Sequence, residues 1–183
     1  DMYGIDVVIP DFTYLIKNRD KIRGIFITHG HEDHIGSLPY LLRELNVPVY
    51  ATRMSAGLIK LKLEEHHLVN KTRLITCEAG ETVKAGRFGV EFIHVNHSIA
   101  DAVAFAIRTP LGVCVHTGDF KIDATPVSGG MIDLARLGQL GKDGVLALLC
   151  DSTNVEQAGY TKSERSVGAS FDALFRGCEE RII

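Results

Sequence analysis

The sequence predicts a layered α/β fold, and three observations carry that prediction. Apolar runs such as "GIFIT" (24–28) and "VLALLCDST" (145–153) are hydrophobic on both faces, as strands buried inside layered α/β folds are. The middle of the chain is a succession of β-type segments separated by glycine turns or polar loops. Strand–helix units flank that succession, and the mixture points to stacked sheets and helices. One stretch stands apart: "THGHEDHIG" (28–36) sets three histidines and two carboxylates in six positions just past an apolar run.

Taken in order, "IDVVIP" (5–10) reads as a short strand ended by Pro10, and "FTYLIKNRD" (12–20) as a brief helix or turn. After the strand at 24–28 and the His-rich loop, "SLPYLLREL" (37–45) reads as a helix that Ser37 can cap, with Pro39 tolerated in its first turn. "VPVYA" (47–51) is a strand, and "RMSAGLIKLKLEEHHL" (53–68) a helix. Met54, Leu58 and Leu61 mark its apolar stripe, and Ile59 and Leu63 widen it. "TRLITC" (72–77), "ETVKA" (81–85), "FGVEFIHV" (88–95), "AVAFAIRT" (102–109) and "GVCVHTG" (112–118) are strands. "MIDLARLGQLG" (131–141) is a helix with Gly141 near its end, and "VLALLCDST" a further buried strand. Thr161 and Glu164 have capping-box spacing, which predicts a last helix over about 162–177.

At 183 residues the chain suits one large domain with a real core. Hydrophobic residues make up 45% and charged residues 23%, and the net charge of −3 gives no global basic signal for nucleic acid. An anionic substrate therefore has to be attracted locally, for example by bound metal. "KNRDKIR" (17–23) is a local basic run that reads as a solvated face. No C-x-x-C pair occurs among Cys77, Cys114, Cys150 and Cys178, which argues against a zinc finger. Cys114 and Cys150 sit in apolar runs and read as buried free thiols, so a reducing cytoplasm is the expected location. Signal peptide and membrane-spanning patterns are not seen. The start at Asp1 and the strand-like end "ERII" suggest a fragment of a longer protein.

Histidine and carboxylate are natural ligands of zinc and similar divalent ions. In "HGHEDH", His29 and His31 can converge on one ion, while Asp33 and His34 diverge from them, so one loop can serve two metals. Gly30 lets the backbone bend between the first pair. Further candidates lie at strand ends: His94 and His97 in "FIHVNHS", and His116 and Asp119 in "VHTGDFK". His97, at the strand edge, is better placed than His94. Asp119, just past a glycine turn, is the best bridging carboxylate. His116 reads as a hydrogen-bonded core residue, His66 and His67 as solvated helix residues, and Glu32 as pointing to solvent. The bland alternative, a polar surface loop with scattered core histidines, explains the H-x-H-x-D-H run poorly.

"THGHEDHIG" resembles the H-x-H-x-D-H signature of the metallo-β-lactamase superfamily, and "NHS" and "TGD" match its next two ligand motifs in order. "FITHGHEDHIG", "VNHSIAD", "VHTGDFKID" and "DSTNVEQAGYTKSE" narrow the resemblance to the bacterial ribonuclease J family, in the β-CASP branch, over nearly the whole chain. That resemblance implies an incomplete αββα four-layer sandwich over residues 1–183, ending near where a β-CASP domain begins. It implies that His29, His31 and His97 hold a first zinc, that Asp33 and His34 hold a second, and that Asp119 bridges both. Zinc-dependent hydrolysis of RNA phosphodiester bonds by a metal-bound hydroxide is then expected, with 5′-to-3′ exonuclease and endonuclease action. Asp33 is expected to orient the attacking group, and Ser152 of "DSTN" to touch a phosphate, with Lys121 a weaker candidate. RNA is the expected partner, with homo-oligomers formed by the full-length protein. In the family a last histidine beyond the β-CASP domain completes the second metal, so that site is expected to be one ligand short here. The alternatives are another hydrolase on the same fold (a thioesterase, lactonase or β-lactamase) and a non-catalytic scaffold. Retention of all six expected ligands argues against the scaffold.

Overall fold

The computed structural model describes residues 3–181. Two sheets stack between layers of helix. The first is parallel, in the order β1 (Ile25–Phe26), β2 (Val49–Ala51) and β3 (Leu74–Thr76). The second runs β4 (Thr82–Ala85), β5 (Phe88–His94), β6 (Val103–Thr109), β7 (Gly112–His116) and β8 (Ala147–Leu149). Its pairs are antiparallel from β4 to β7, and β8 joins β7 in parallel.

Alternation along the strands assigns each face. On β5 and β6, Val90, Phe92, Val103 and Phe105 turn toward the first sheet and meet Phe26 and Tyr50. The Phe26 and Tyr50 rings stack at 4.7 Å, and Phe92 and Phe105 meet edge-on at 5.0 Å, so aromatic rings fill the space between the sheets. The opposite face of the second sheet carries Ile93, Ala104, Ala106 and Val115, small or slim residues that admit α5 (Leu134–Asp143) through Leu137 and Leu140. Over the outer face of the first sheet lie α3 (Leu38–Glu44) and α4 (Arg53–Glu65), closing a cluster with Ile27, Val49 and Ala51. The layer order is helix, sheet, sheet, helix. A short α1 (Thr13–Lys17) packs beside α3 through Leu15 and Phe12, and α2 (Glu32–Ile35) and α6 (Arg165–Phe175) complete the helices named here.

Several local expectations need correction. Residues 5–10 form no strand and are exposed. On α4 the buried face is Ser55, Ala56, Ile59 and Leu63, while Met54 and Leu61 face outward; two small residues, not two large ones, meet the sheet. Ser37 makes no capping bond to α3. The strand at 145–153 is exposed at every position of β8, because no layer covers the sheet there among the described residues. Cys150 is accordingly exposed, and Cys114 half-buried. Glu164 itself stands at the N-cap of α6, so Thr161 forms no capping box with it. The strand expected at "ERII" falls partly on residues 182–183, outside the described residues.

Candidate metal centre

The signature loop leaves β1 at Ile27 and is held at once. Thr28 accepts a hydrogen bond from the Val103 amide at 2.9 Å, tying the loop to the start of β6. His29 is fully buried, and its Nδ1 meets Thr28 Oγ1 at 3.1 Å, which turns Nε2 toward the centre. His31, in extended conformation, is the N-cap of α2. That single helical turn brings His34 back toward the centre and swings Asp33 outward.

The other loops arrive from the second sheet. β5 ends at His94, whose Nε2 lies 2.9 Å from the Gly130 carbonyl oxygen, so His94 is spent on the fold and His97 faces the signature loop. Buried Asn96 donates to the Gly130 carbonyl, accepts from the Ile132 amide, and through its own carbonyl accepts from the Lys121 amide. It thus joins the His97 loop to the Asp119 loop. After β7 the chain turns at Gly118, whose φ of +57° suits glycine and whose amide donates to His116 Nδ1 at 3.0 Å. A Cβ at Gly118 would stand 2.9 Å from Thr28, so this close approach is what sets Asp119 beside His29.

Five of the six residues expected as ligands converge. His31 Nδ1 lies 3.0 Å from His29 Nε2 and 3.1 Å from His97 Nε2. Asp119 Oδ2 lies 3.5 Å from His34 Nε2, 3.8 Å from His97 Nε2 and 3.9 Å from His29 Nε2. Two groups result, His29 with His31 and His97, and His29 with His34 and Asp119. Asp33 joins neither; its carboxylate is 3.5 Å from His34 Nε2 and its side chain 78% exposed. Ser152 is also exposed, in the turn after β8. Glu32 is exposed, as expected, and accepts a hydrogen bond from Lys62 of α4 at 2.6 Å, while Lys121 pairs with Glu164. His66 meets Arg43 at 3.0 Å, and His67 is exposed.

The donor set fits a divalent cation. Burial first, and the neighbouring histidines His34 and His97 next, push the His29 imidazole down to about 4. His97 is likewise held below its ordinary value by burial and then by His31, against the pull of Asp119 and Asp151. Neutral imidazoles offer lone pairs, as ligation requires. A tetrahedral zinc with Zn–N of about 2.0–2.1 Å sets its donors about 3.3 Å apart, close to the 3.0 and 3.1 Å that separate His31 Nδ1 from His29 Nε2 and His97 Nε2. Beside His97 opens a cavity of about 740 Å³, lined by Ile99, Asp123, Val127, Glu164 and Val167 among others.

Fold and site together define a member of the metallo-beta-lactamase superfamily: the profile of that superfamily matches residues 8–129, and the chain belongs to it. Within it the sequence is similar to ribonuclease J proteins. It is 49% identical to "Ribonuclease J" of Synechocystis sp. over the whole chain and 29% of that relative, and 48% identical to "Ribonuclease J" of Helicobacter pylori over 27% of it. It is 43% identical to "Ribonuclease J2" of Bacillus subtilis over 33% of that protein. The chain thus spans about a third or less of the length of these relatives. A crystal structure of a protein of unknown function from Enterococcus faecalis V583 aligns over all of this chain and 51% of its own, with a TM-score of 0.63 at 20% identity, a likeness of fold alone.

Spacing gave no sign of Thr28 and Asn96, which tie together the loops that bring these side chains to one place. Thr28 adjoins a ligand in the chain. The partners of Asn96 lie 25 or more residues away, beyond any spacing rule.

Proposed function

We propose that this chain is the metal-binding part of a ribonuclease of the ribonuclease J kind, hydrolysing RNA phosphodiester bonds with both 5′-to-3′ exonuclease and endonuclease action. The observation that carries the reading is Asp119 Oδ2, which faces His29, His34 and His97 within 3.5–3.9 Å, as a carboxylate shared by two cation sites must. His29, His31 and His97 would hold a first zinc and His34 a second, with Asp119 shared; Asp33, 3.5 Å from His34 Nε2 but turned outward, would join the second only by a change of side-chain rotamer. Two such cations would lower the pKa of water and steady the attacking and leaving oxygens of an in-line displacement. Asp33, on the solvent side of the site, orients the attacking water, and Ser152 contacts a phosphate. The cations also supply positive charge that a chain of net charge −3 lacks. The same reading makes RNA the partner, the cytoplasm the location, homo-oligomerisation a property of the full-length protein, and a β-CASP domain the neighbour beyond residue 183.

The test is hydrolysis of a 5′-monophosphorylated RNA, with bound metal counted on the same sample. Release of 5′-phosphorylated products that stops with chelator or with His31→Ala supports the reading. Bound metal with intact RNA, and cleavage of a thioester or lactone instead, overturns it.

A further inference from the structure

Asp101 has an unusual backbone and an unusual pair of partners. It adopts φ of +61°, the left-handed region that costs a non-glycine residue strain of order 1–3 kcal/mol. Its carboxylate Oδ2 accepts the Met54 amide of α4 at 3.0 Å, and its carbonyl oxygen accepts the Thr52 hydroxyl at 2.8 Å. Thr52 is the N-cap of α4, yet it makes no side-chain capping bond. Its hydroxyl is turned to Asp101 and to Ser55 Oγ at 3.1 Å, both Thr52 and Ser55 being buried. A carboxylate from 47 residues along the chain caps this helix instead.

That helix start also supports the other histidine loop. A Cβ on Gly30 would fall 2.6 Å from Leu58 Cδ1, 3.4 Å from Ser55 Cα and 3.6 Å from Ile99 Cδ1. The backbone between His29 and His31 therefore lies against the first two turns of α4 and against Ile99. Ile99 belongs to the loop that carries His97, which the Val95 amide closes onto Ala102 and which Asp101 ends. The start of α4 backs the Gly30 backbone between His29 and His31, and Asp101 bonds the end of the His97 loop to that same helix start.

We infer that Asp101 is a positioning residue for the three-histidine group, holding His97 in register with His29 and His31 by capping α4 from outside. The inference deepens the metal-site reading and rests on it for its effect on cation binding. The strain at φ +61° is retained because both loops share the helix end it secures.

Asp101→Gly keeps the left-handed backbone and removes the carboxylate, whereas Asp101→Asn keeps an acceptor for the Met54 amide. Glu91→Gln, in a buried ion cluster at the α5 face, lowers stability without touching either loop. In the metal-free protein, the imidazole ¹⁵N–¹H correlations of His97 are expected to move in Asp101→Gly and to stay in Asp101→Asn and Glu91→Gln. In a Co²⁺ titration followed by absorbance, Asp101→Gly is expected to weaken binding roughly tenfold or more, Asp101→Asn only a few-fold, and Glu91→Gln not at all. His97 correlations unmoved in Asp101→Gly, or a Glu91→Gln loss as large as that of Asp101→Gly, overturn the inference. A wild-type chain that takes up no Co²⁺ while His97 still responds to Asp101→Gly overturns the metal reading and leaves the positioning role standing.

Discussion

Asp119 Oδ2 faces His29, His34 and His97, and under the proposed two-cation reading its carboxylate would serve both cations. Asp119→Asn keeps the shape and removes the charge facing His29, His34 and His97. Metal analysis after dialysis should find the second cation lost and the first weakened by roughly 10–100-fold, the range that ligand-shell changes give. Retention of both at wild-type affinity would exclude a bridging role. His29 sets a pH dependence of its own. Its folded value of about 4 lies below the unfolded value of about 6.5, so the unfolded chain binds more protons between those limits. With chelator present, stability should be complete above about pH 6.5 and fall as pH drops toward about 4. A denaturant midpoint unchanged between pH 7 and pH 5 would contradict this. At this scale the convergence of the candidate ligands was legible where they are close in sequence. His29, His31 and His34 betray themselves by spacing alone. Asp33 shares that spacing, but the helical turn of α2 points it outward, and a linear pattern does not carry that rotation.

Among the elements, the turn after β7 is the most constrained. Gly118 combines φ of +57° with a Cβ position 2.9 Å from Thr28 and 3.1 Å from the Val103 carbonyl oxygen. Gly118→Ala should cost about 1–3 kcal/mol and displace Asp119. Thermal unfolding and metal affinity should fall together, and a variant with native affinity and melting temperature would show that the turn relaxes freely. β5 and β6 were legible because both faces are covered, so each is a continuous apolar run with four successive buried residues. β8 was misread as buried because its composition, Ala147–Leu148–Leu149, is that of a covered strand. The stripe of α4 was misread because Ser55 and Ala56 approach the sheet closely, where Met54 would not fit.

The whole molecule is held by long-range ties that no motif announces. Glu91 on β5 takes Arg136 of α5 in two bonds, at 2.6 and 2.9 Å, and Arg108 of β6 at 3.0 Å. Bonding to Arg136, more than to Arg108, holds the carboxyl below its ordinary value. Its stabilisation is therefore present above the unfolded carboxylate pKa of about 4.3 and is lost as pH falls through the lowered folded value. Glu91→Gln should lose about 1–3 kcal/mol in urea unfolding at pH 7, a gap that narrows in strong acid. An equal gap at both pH values would mean that packing, not charge, is what Glu91 contributes. The layered class was legible because apolar runs and glycine turns are local signals. The order of the layers came from the family resemblance and not from local pattern, since it depends on which face of β5 carries Phe92 and which carries Ile93.

His31 Nδ1 stands within 3.1 Å of both His29 Nε2 and His97 Nε2. If this group takes up a cation, as proposed, folding and cation uptake would be one linked equilibrium, since an unfolded chain cannot hold these nitrogens together. At a free cation level 100 times its dissociation constant, the native state gains about 2.7 kcal/mol. The melting temperature of this chain would then read the metal activity around it, and a metal-buffered series of melts would trace the binding curve without any assay of catalysis.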